Sequence, residues 1–271
     1  RFRNVTGVQT CALPICVDRW YGYCTGANVT GQRVQGASVG QFRYQFTGAA
    51  SVTAIGFGQR IEQLNSADLA STTATLSVDL ANSLLTTVTW TAYYATTADT
   101  FGTLASPTRT QIATGTFTVT STVTRHSTSI SVPAAATTGI EIVFTVGAQT
   151  SGTWTISNVQ LEGGSVATPF ERRSYGQELA LCQRYHQRFQ NFRLAGYITV
   201  GNEIAYPLVY QVYMRTVPIG ATSGFTLTNV AGGAQPELIN LQPMSGGIRI
   251  ISGGGGPTSA VDGLVTLSAE L

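Results

Sequence analysis

Chemistry on a protein surface needs a nucleophile, a pair of titratable groups aimed at one bond, or a flat ring to stack on, and this chain offers few of the first two. Glu62 and Asp68 flank a short stretch after Gln59-Arg-Ile, and two carboxylates facing one glycosidic bond would supply the acid and base of sugar-chain cleavage. Spacing alone does not bring them together, and a solvated loop accounts for both. Gly36-Ala-Ser38-Val-Gly40 has the form of a nucleophile elbow, but it precedes the β run 41–47 where that motif requires a following helix. A turn fits better. His126 and His186 are the only histidines, and neither has a second His or Cys at metal-ligand spacing. No nucleophile, base and orienting group can be assembled, so the expectation is a protein without catalytic residues and without a metal ligand set.

Aromatic side chains are the stronger candidates, because the C–H face of a sugar packs on a ring while its hydroxyls bond to nearby polar groups. Tyr21 and Tyr23 flank the first strand, and Tyr93 points away from the face shared by Trp90 and Tyr94. These three are the candidate binding residues. The same rings would serve equally in a core or a subunit interface. Trp20, Trp90 and Trp154 are assigned to the core, as large aromatics in alternating strands usually are.

The elements that position them are strands. From Val17 to Phe170 short alternating runs are punctuated by Gly, Asn, Ser and Pro, the pattern of an antiparallel all-β domain. Strands are expected at 41–47, 53–61, 74–80, 86–94, 116–124, 127–132, 140–146 and 153–161. About eight strands is the number of a jelly roll. Gly163 and Gly164 then break the last run, and Thr168-Pro169 holds the chain extended. Ser174 followed by Gln177 is a capping-box pattern. Leu179, Leu181, Cys182, Tyr185 and Phe189 recur at helical spacing, which predicts a helix from Tyr175 to about Gln190. Beyond it, 203–214 alternates cleanly through Ile204, Tyr206, Leu208, Tyr210, Val212 and Met214, with further strands expected at 194–200, 225–230, 248–251 and 265–271. The Ser252-Gly-Gly-Gly-Gly-Pro257 segment reads as a flexible loop. The expected division is a jelly-roll domain over 17–170, a linking helix within 171–192 and a small C-terminal β-sandwich over 193–271.

Val5-Thr-Gly-Val-Gln-Thr-Cys-Ala-Leu-Pro-Ile15 resembles the translation of a common sequencing-adapter oligonucleotide, so residues 1–16 are set aside from fold reasoning. A signal peptide is a poorer account, because the apolar run is short and lacks a cleavage pattern. The expectation is that other sequence belongs upstream and that this is the C-terminal part of a longer protein.

Without Arg1 and Arg3, 13 arginines face 13 acidic residues, and there is no lysine. That balance gives no basic surface for nucleic acid. Charged residues make up 10% of the chain against about a quarter in ordinary soluble domains. A surface that is polar without being charged suits an extracellular or virion protein with hydroxyl-rich partners. Outside the first sixteen residues only Cys24 and Cys182 remain, too few for a disulfide framework and read as buried free thiols. No apolar run approaches a membrane-spanning length, so membrane insertion is not expected.

The stretch Ile156-Ser-Asn-Val-Gln-Leu-Glu-Gly-Gly-Ser-Val-Ala-Thr-Pro-Phe-Glu-Arg-Arg, followed by Ser174-Tyr-Gly-Gln-Glu-Leu-Ala-Leu-Cys-Gln-Arg-Tyr185, resembles the junction that closes a β-sandwich in bacteriophage tail-fibre and tail-associated proteins. The resemblance extends to Asp18-Arg-Trp20, Gln59-Arg-Ile-Glu62, Met214-Arg215 and the terminal Ser268-Ala-Glu-Leu271, and the first domain is similar to jelly-roll carbohydrate-binding modules. It implies a virion protein that attaches to a bacterial surface glycan, associates with other tail proteins and forms a homotrimer. Calcium is an option it leaves open, since related jelly rolls often hold one, though no calcium-loop pattern is present. The shared motifs sit at strand ends and at the junction and carry over no binding residue. Two other roles are compatible with the sequence: a structural virion component with no outside ligand, and an accessory sugar-binding module of a polysaccharide-degrading enzyme.

Overall fold

In a computed structural model of the chain, residues 9–10, 19–37 and 41–269 are described. Cys11, Cys16, Asp18, Ser38 and the terminal Glu270 and Leu271 lie outside them, and with Ser38 goes the elbow-like turn. The chain forms two compact units that divide between Arg172 and Arg173.

The first unit is a jelly roll. Its strands are β1 (Gln9–Thr10), β2 (Trp20–Thr25), β3 (Thr30–Gln35), β4 (Phe42–Thr47), β5 (Ala54–Ile61), β6 (Thr73–Asn82), β7 (Thr87–Ala95), β8 (Arg109–Thr118), β9 (Thr124–Ser131), β10 (Ile140–Val146) and β11 (Thr153–Gly163). All pairings are antiparallel, in the orders β1-β3-β4-β11-β6-β9 and β2-β5-β10-β7-β8. Each of the connections β4 to β5, β6 to β7, β8 to β9 and β10 to β11 passes from one sheet to the other. That is the double Greek key of eight strands, here extended by β3 beside β4 and β2 beside β5.

Alternation within the strands builds the core. Phe46, Leu76, Leu80, Trp154 and Ile156 of one sheet meet Ile55, Phe57, Trp90, Ile142 and Phe144 of the other. Trp154 stacks on Phe46 at 5.1 Å between ring centroids, Tyr44 stacks on Phe57 at 5.2 Å, and Phe46 meets Phe57 edge-on at 5.4 Å. Burying each such side chain contributes about 1.5–3 kcal/mol. The three tryptophans belong to this cluster or pack against it.

Two expected strands are displaced. The runs foreseen at 116–124 and 127–132 are β8, which begins at Arg109, and β9, which begins at Thr124. Threonines at 114, 116, 118, 120, 122 and 124 are half apolar and half polar, so they carry no readable alternation. Only buried Phe117 and Val119 mark the true end of the strand.

Polar side chains lock the junction after β11. Gln160 donates to Glu162 Oε1 and to the Thr168 hydroxyl, each at 3.0 Å. The Thr168 amide and hydroxyl donate to the Glu162 carboxylate at 2.9 and 2.6 Å, and the Glu171 amide donates to Gln160 Oε1 at 2.8 Å. The two residues that alternate with Val159 and Leu161 thus fold the chain back across the Gly163-Gly164 break.

The second unit opens with helix α1 (Tyr175–Gln183), capped as expected: the Gln177 amide donates to Ser174 Oγ, and the Ser174 amide donates to Gln177 Oε1. The helix ends seven residues before the expected limit. Residues 186 onward join strand β12 (His186–Ile198) instead. Gln187 decides this locally, since its buried side chain donates to the Val212 carbonyl and accepts from the Gln211 amide, both at 2.9 Å. The remaining strands are β13 (Glu203–Val209), β14 (Ile219–Ser223), β15 (Thr226–Thr228), β16 (Glu237–Ile239), β17 (Ser245–Ile251) and β18 (Gly256–Ser268). One sheet runs β12-β18-β14, with β15 also on β18, and the other runs β13-β17-β16. Leu194, Leu208, Tyr210, Met214, Ile248, Ile250, Val265 and Leu267 fill the space between them. Alternation through Met214 is as expected, but pairing stops at Val209. The Ser252–Pro257 segment is held rather than loose: buried Ser252 bonds to Thr258 Oγ1 at 3.0 Å and donates to the Gly254 carbonyl, which also accepts from Asn229.

The Thr168 hydrogen bonds hold the Glu162 carboxyl below its ordinary range. Its contribution to stability is therefore present above the usual carboxylate pKa and is lost as pH falls through the depressed value. Glu162→Gln is expected to cost about 1 kcal/mol and to lower the melting temperature by about 2–4 °C. Urea melts from pH 7 down to pH 3 should also show a shallower loss of stability in the variant.

Candidate functional site

The β2-β5-β10-β7-β8 sheet turns one face to the core and the other outward. Pairing places three rows of side chains on the outward face: Tyr23, Gly56, Thr145, Thr89 and Thr116; then Tyr21, Gly58, Val143, Thr91 and Thr114; then Arg60, Glu141 and Tyr93. The three candidate tyrosines thus share one face. Glycine makes room for two of them. A Cβ on Gly56 would lie 2.1 Å from Tyr23 Cζ, and one on Gly58 would lie 2.5 Å from Tyr21 Cζ. Each ring lies flat over the backbone of the next strand, and the two rings stack at 6.4 Å.

Their environments differ. Tyr21 is buried, and its hydroxyl donates to Glu141 Oε1 at 2.7 Å. Burial, reinforced by the Glu141 charge, pushes its pKa far above the usual phenol value. Its ring and hydroxyl are thus used inside the protein. Tyr23 and Tyr93 remain partly open, and burial raises the Tyr23 pKa as well. Around them Thr91 and Thr114 share a hydroxyl hydrogen bond at 3.0 Å, with Thr116 exposed beside them.

Glu141 is fully buried although it points away from the hydrophobic core. Arg60 Nε donates to its Oε1 at 2.9 Å, and Arg109 Nη1 donates to its Oε2. Arg60 also donates to the Gly102 carbonyl at 3.1 Å and sits 5.4 Å from the Phe101 ring centroid. The Arg109 guanidinium lies over Tyr93, 4.0 Å from the ring centroid. Burial works against the Arg109 charge, but the hydrogen bond and charge of Glu141 outweigh it and hold its pKa above the ordinary value. A buried ion pair is costly to leave half made.

Arg60, Arg109 and Glu141 were not among the candidates read from the sequence. Their signal was a carboxylate inside the otherwise apolar run Ile140-Glu-Ile-Val-Phe144, in a chain with few charges. The other candidates do not converge on this face. Glu62 is buried at the end of β5, where its carbonyl accepts from Ser66 Oγ, while Asp68 is exposed in a following 3-10 turn. His126 lies within β9 rather than between strands, bonded to Thr124 Oγ1 and packed on Phe117, and burial lowers its pKa. His186 begins β12 and is not helical. Cys182 is buried as expected, whereas Cys24 is half buried in β2. Among the described residues no three His, Cys, Asp or Glu side chains group as metal ligands, and no helix is long and apolar enough to cross a membrane.

No family model matches the chain, and no curated protein matches it in sequence. Solved structures similar to it include a carbohydrate-binding module of family 4 (17% identity, 54% of this chain and 88% of that one, TM-score 0.40). A family 61 module from a complex with β-1,4-galactotriose is 12% identical over 54% of this chain and 88% of that one, with a TM-score of 0.37. The enzymatically active domain of tailspike protein 4 of bacteriophage CBA120 is 19% identical over 54% of this chain, with a TM-score of 0.37, but the match spans only 19% of that protein.

Replacing Glu141 by Leu would remove the carboxylate that both Arg60 and Arg109 bond. A loss of about 3 kcal/mol is expected, read as a fall in melting temperature of about 6–12 °C. Glu141→Gln, which still accepts hydrogen bonds, should lose less.

Proposed function

We propose that the outward face of the β2-β5-β10-β7-β8 sheet binds glycan without cleaving it, and that the chain serves a bacteriophage tail fibre or tail-associated protein in attachment to a bacterial surface. The observation that carries the binding reading is the face itself. Two partly open tyrosines, one backed by Tyr21 and one by Arg109, stand among threonine hydroxyls. Stacking on a ring flanked by hydroxyl groups is how a protein holds a sugar whose surface is half C–H and half O–H. Tyr23 is the platform, Tyr93 with Arg109 forms the opposite wall, and Tyr21 is a positioning residue. The virion reading rests on the likeness of the 156–185 junction to tail-fibre junctions and on the low charge of the chain.

Glycan-array screening of the intact chain tests binding. Tyr23→Ala and Tyr93→Ala are each expected to weaken the best ligand about tenfold, which is about 1.4 kcal/mol, with the melting temperature kept within a few degrees. An empty array, with capsular and cell-wall glycans included, would favour a structural role in the virion.

Self-association as a homotrimer through the second unit belongs to the same proposal. In that unit Tyr197, Val209, Ile219 and Met244 are each more than 60% exposed. A second copy of this chain is the partner that fits a fibre, which repeats one chain around an axis. Light scattering at micromolar concentration should give the mass of three chains. A clean monomer mass would overturn it.

A further inference from the structure

The two sheets of the second unit each turn one face away from the core they share, and the two outer faces differ in sign. On the β13-β17-β16 sheet, pairing puts Glu203, Glu237 and Arg249 on the outer face together with Ile251 and Val209, opposite buried Leu208, Ile248 and Ile250. Arg249 donates to Glu203 at 2.9 Å and to Glu237 at 2.8 Å. Two carboxylates share one guanidinium, and one negative charge is left over. On the other sheet, the outer side of β12 carries Arg188, Arg193 and Tyr197, and β14 adds Ile219 in the row of His186 and Ser268. Both arginines are exposed, and neither makes an ion pair among the described residues. Against them the strands of this sheet set one acid, Asp262 in the bulge of β18. This face is positive.

A ring of three copies has no two-fold axis across its contacts, so each copy must meet its neighbours through two different surfaces that fit one another. Apolar exposure does not choose them, because both faces have it: Val209 is 75% exposed on one, and Tyr197 and Ile219 are 81% and 83% exposed on the other. Charge does choose. Like faces would set carboxylates against carboxylates or guanidiniums against guanidiniums, whereas unlike faces bring a surplus carboxylate to arginines whose planar forks suit it. The position of the arginines favours the same contact. β12 is the edge strand of its sheet, so a partner can reach its outer side from the margin of the sandwich.

We infer that the partner seated on the outer side of β12 is the β13-β17-β16 face of a second copy of this chain, so that Arg188 and Arg193 of one copy lie against that acidic face of the next. This rests on the homotrimer reading and names the two surfaces that make it.

Light scattering of the intact chain at micromolar concentration, beside three variants, tests it. Arg188→Glu with Arg193→Glu, and separately Glu203→Arg with Glu237→Arg, should each weaken self-association about tenfold or more, because each sets like charges face to face. All four changes in one chain should restore the mass of three chains, since the signs are then exchanged and not lost. A fold defect cannot imitate that result, because two further changes do not repair a misfolded chain. The unmodified chain gives a reading that needs no variant: raising salt from about 0.1 M to about 1 M, which shortens the screening length from about 10 Å to about 3 Å, should weaken its self-association about fivefold or more. A three-chain mass kept by either double variant, no restoration in the combined variant, or indifference to salt would overturn the pairing of these faces and leave the homotrimer standing. A monomer mass for the unmodified chain at every salt concentration would overturn both.

Discussion

A carboxylate on the outward side of a central strand, with no water to solvate it, is the constraint around which the jelly-roll face is arranged. Glu141 sits on β10, between β5 and β7, where a charge without partners would be expelled or neutralised. Arg60 reaches it from the adjacent strand, Tyr21 from one strand further, and Arg109 from beyond β7 on the opposite side. One side chain therefore ties three other strands of the face to itself. The tyrosine rings inherit their positions from that arrangement, since Tyr21 is anchored through its hydroxyl and Tyr93 lies under the guanidinium of Arg109.

Glycine completes the arrangement. Ile55-Gly-Phe-Gly58 alternates a core aromatic and an aliphatic with two residues that have no side chain. On the core side Phe57 packs against Tyr44 and Trp20. On the outer side the two bare positions are covered by rings from β2. The strand is thus buried on both faces, once by the hydrophobic core and once by its neighbour's tyrosines. That double burial makes a smooth floor on which Tyr23 lies flat, and the threonines of β7, β8 and β10 continue it as a row of hydroxyl groups.

Much of this was legible beforehand where the side-chain period was clean. The runs containing Phe57, Trp90, Phe144 and Trp154 alternate unambiguously, and their strands lie where expected within a residue or two. The threonine-rich span between Arg109 and Thr124 was misplaced, because threonine satisfies both halves of a binary pattern. The helix was overextended because Phe189 falls at helical spacing from Cys182 while also alternating with Gln187, and only the long pairing of β12 with β18 chooses between those periods. The tyrosines of the face were readable from their parity in their strands. The arginines and Glu141 were not, because what joins them is the order of strands in the sheet: Arg60 and Glu141 are neighbours only once β5 pairs with β10, and Arg109 arrives only once β8 is known to lie next to β7.

The scarcity of charge and the complete absence of lysine take on a common meaning in the sheets. Arg125 on β9 donates to Asp79 on β6 and to the Asn158 carbonyl in the bulge of β11. Arg249 on β17 bonds Glu203 on β13 and Glu237 on β16. Arg60 and Arg109 close on Glu141 from either side. In each case guanidinium groups bridge a carboxylate or carbonyl across neighbouring strands, a task that suits a planar fork of several donors better than the single point charge of an ammonium. In these three clusters charge fastens neighbouring strands together.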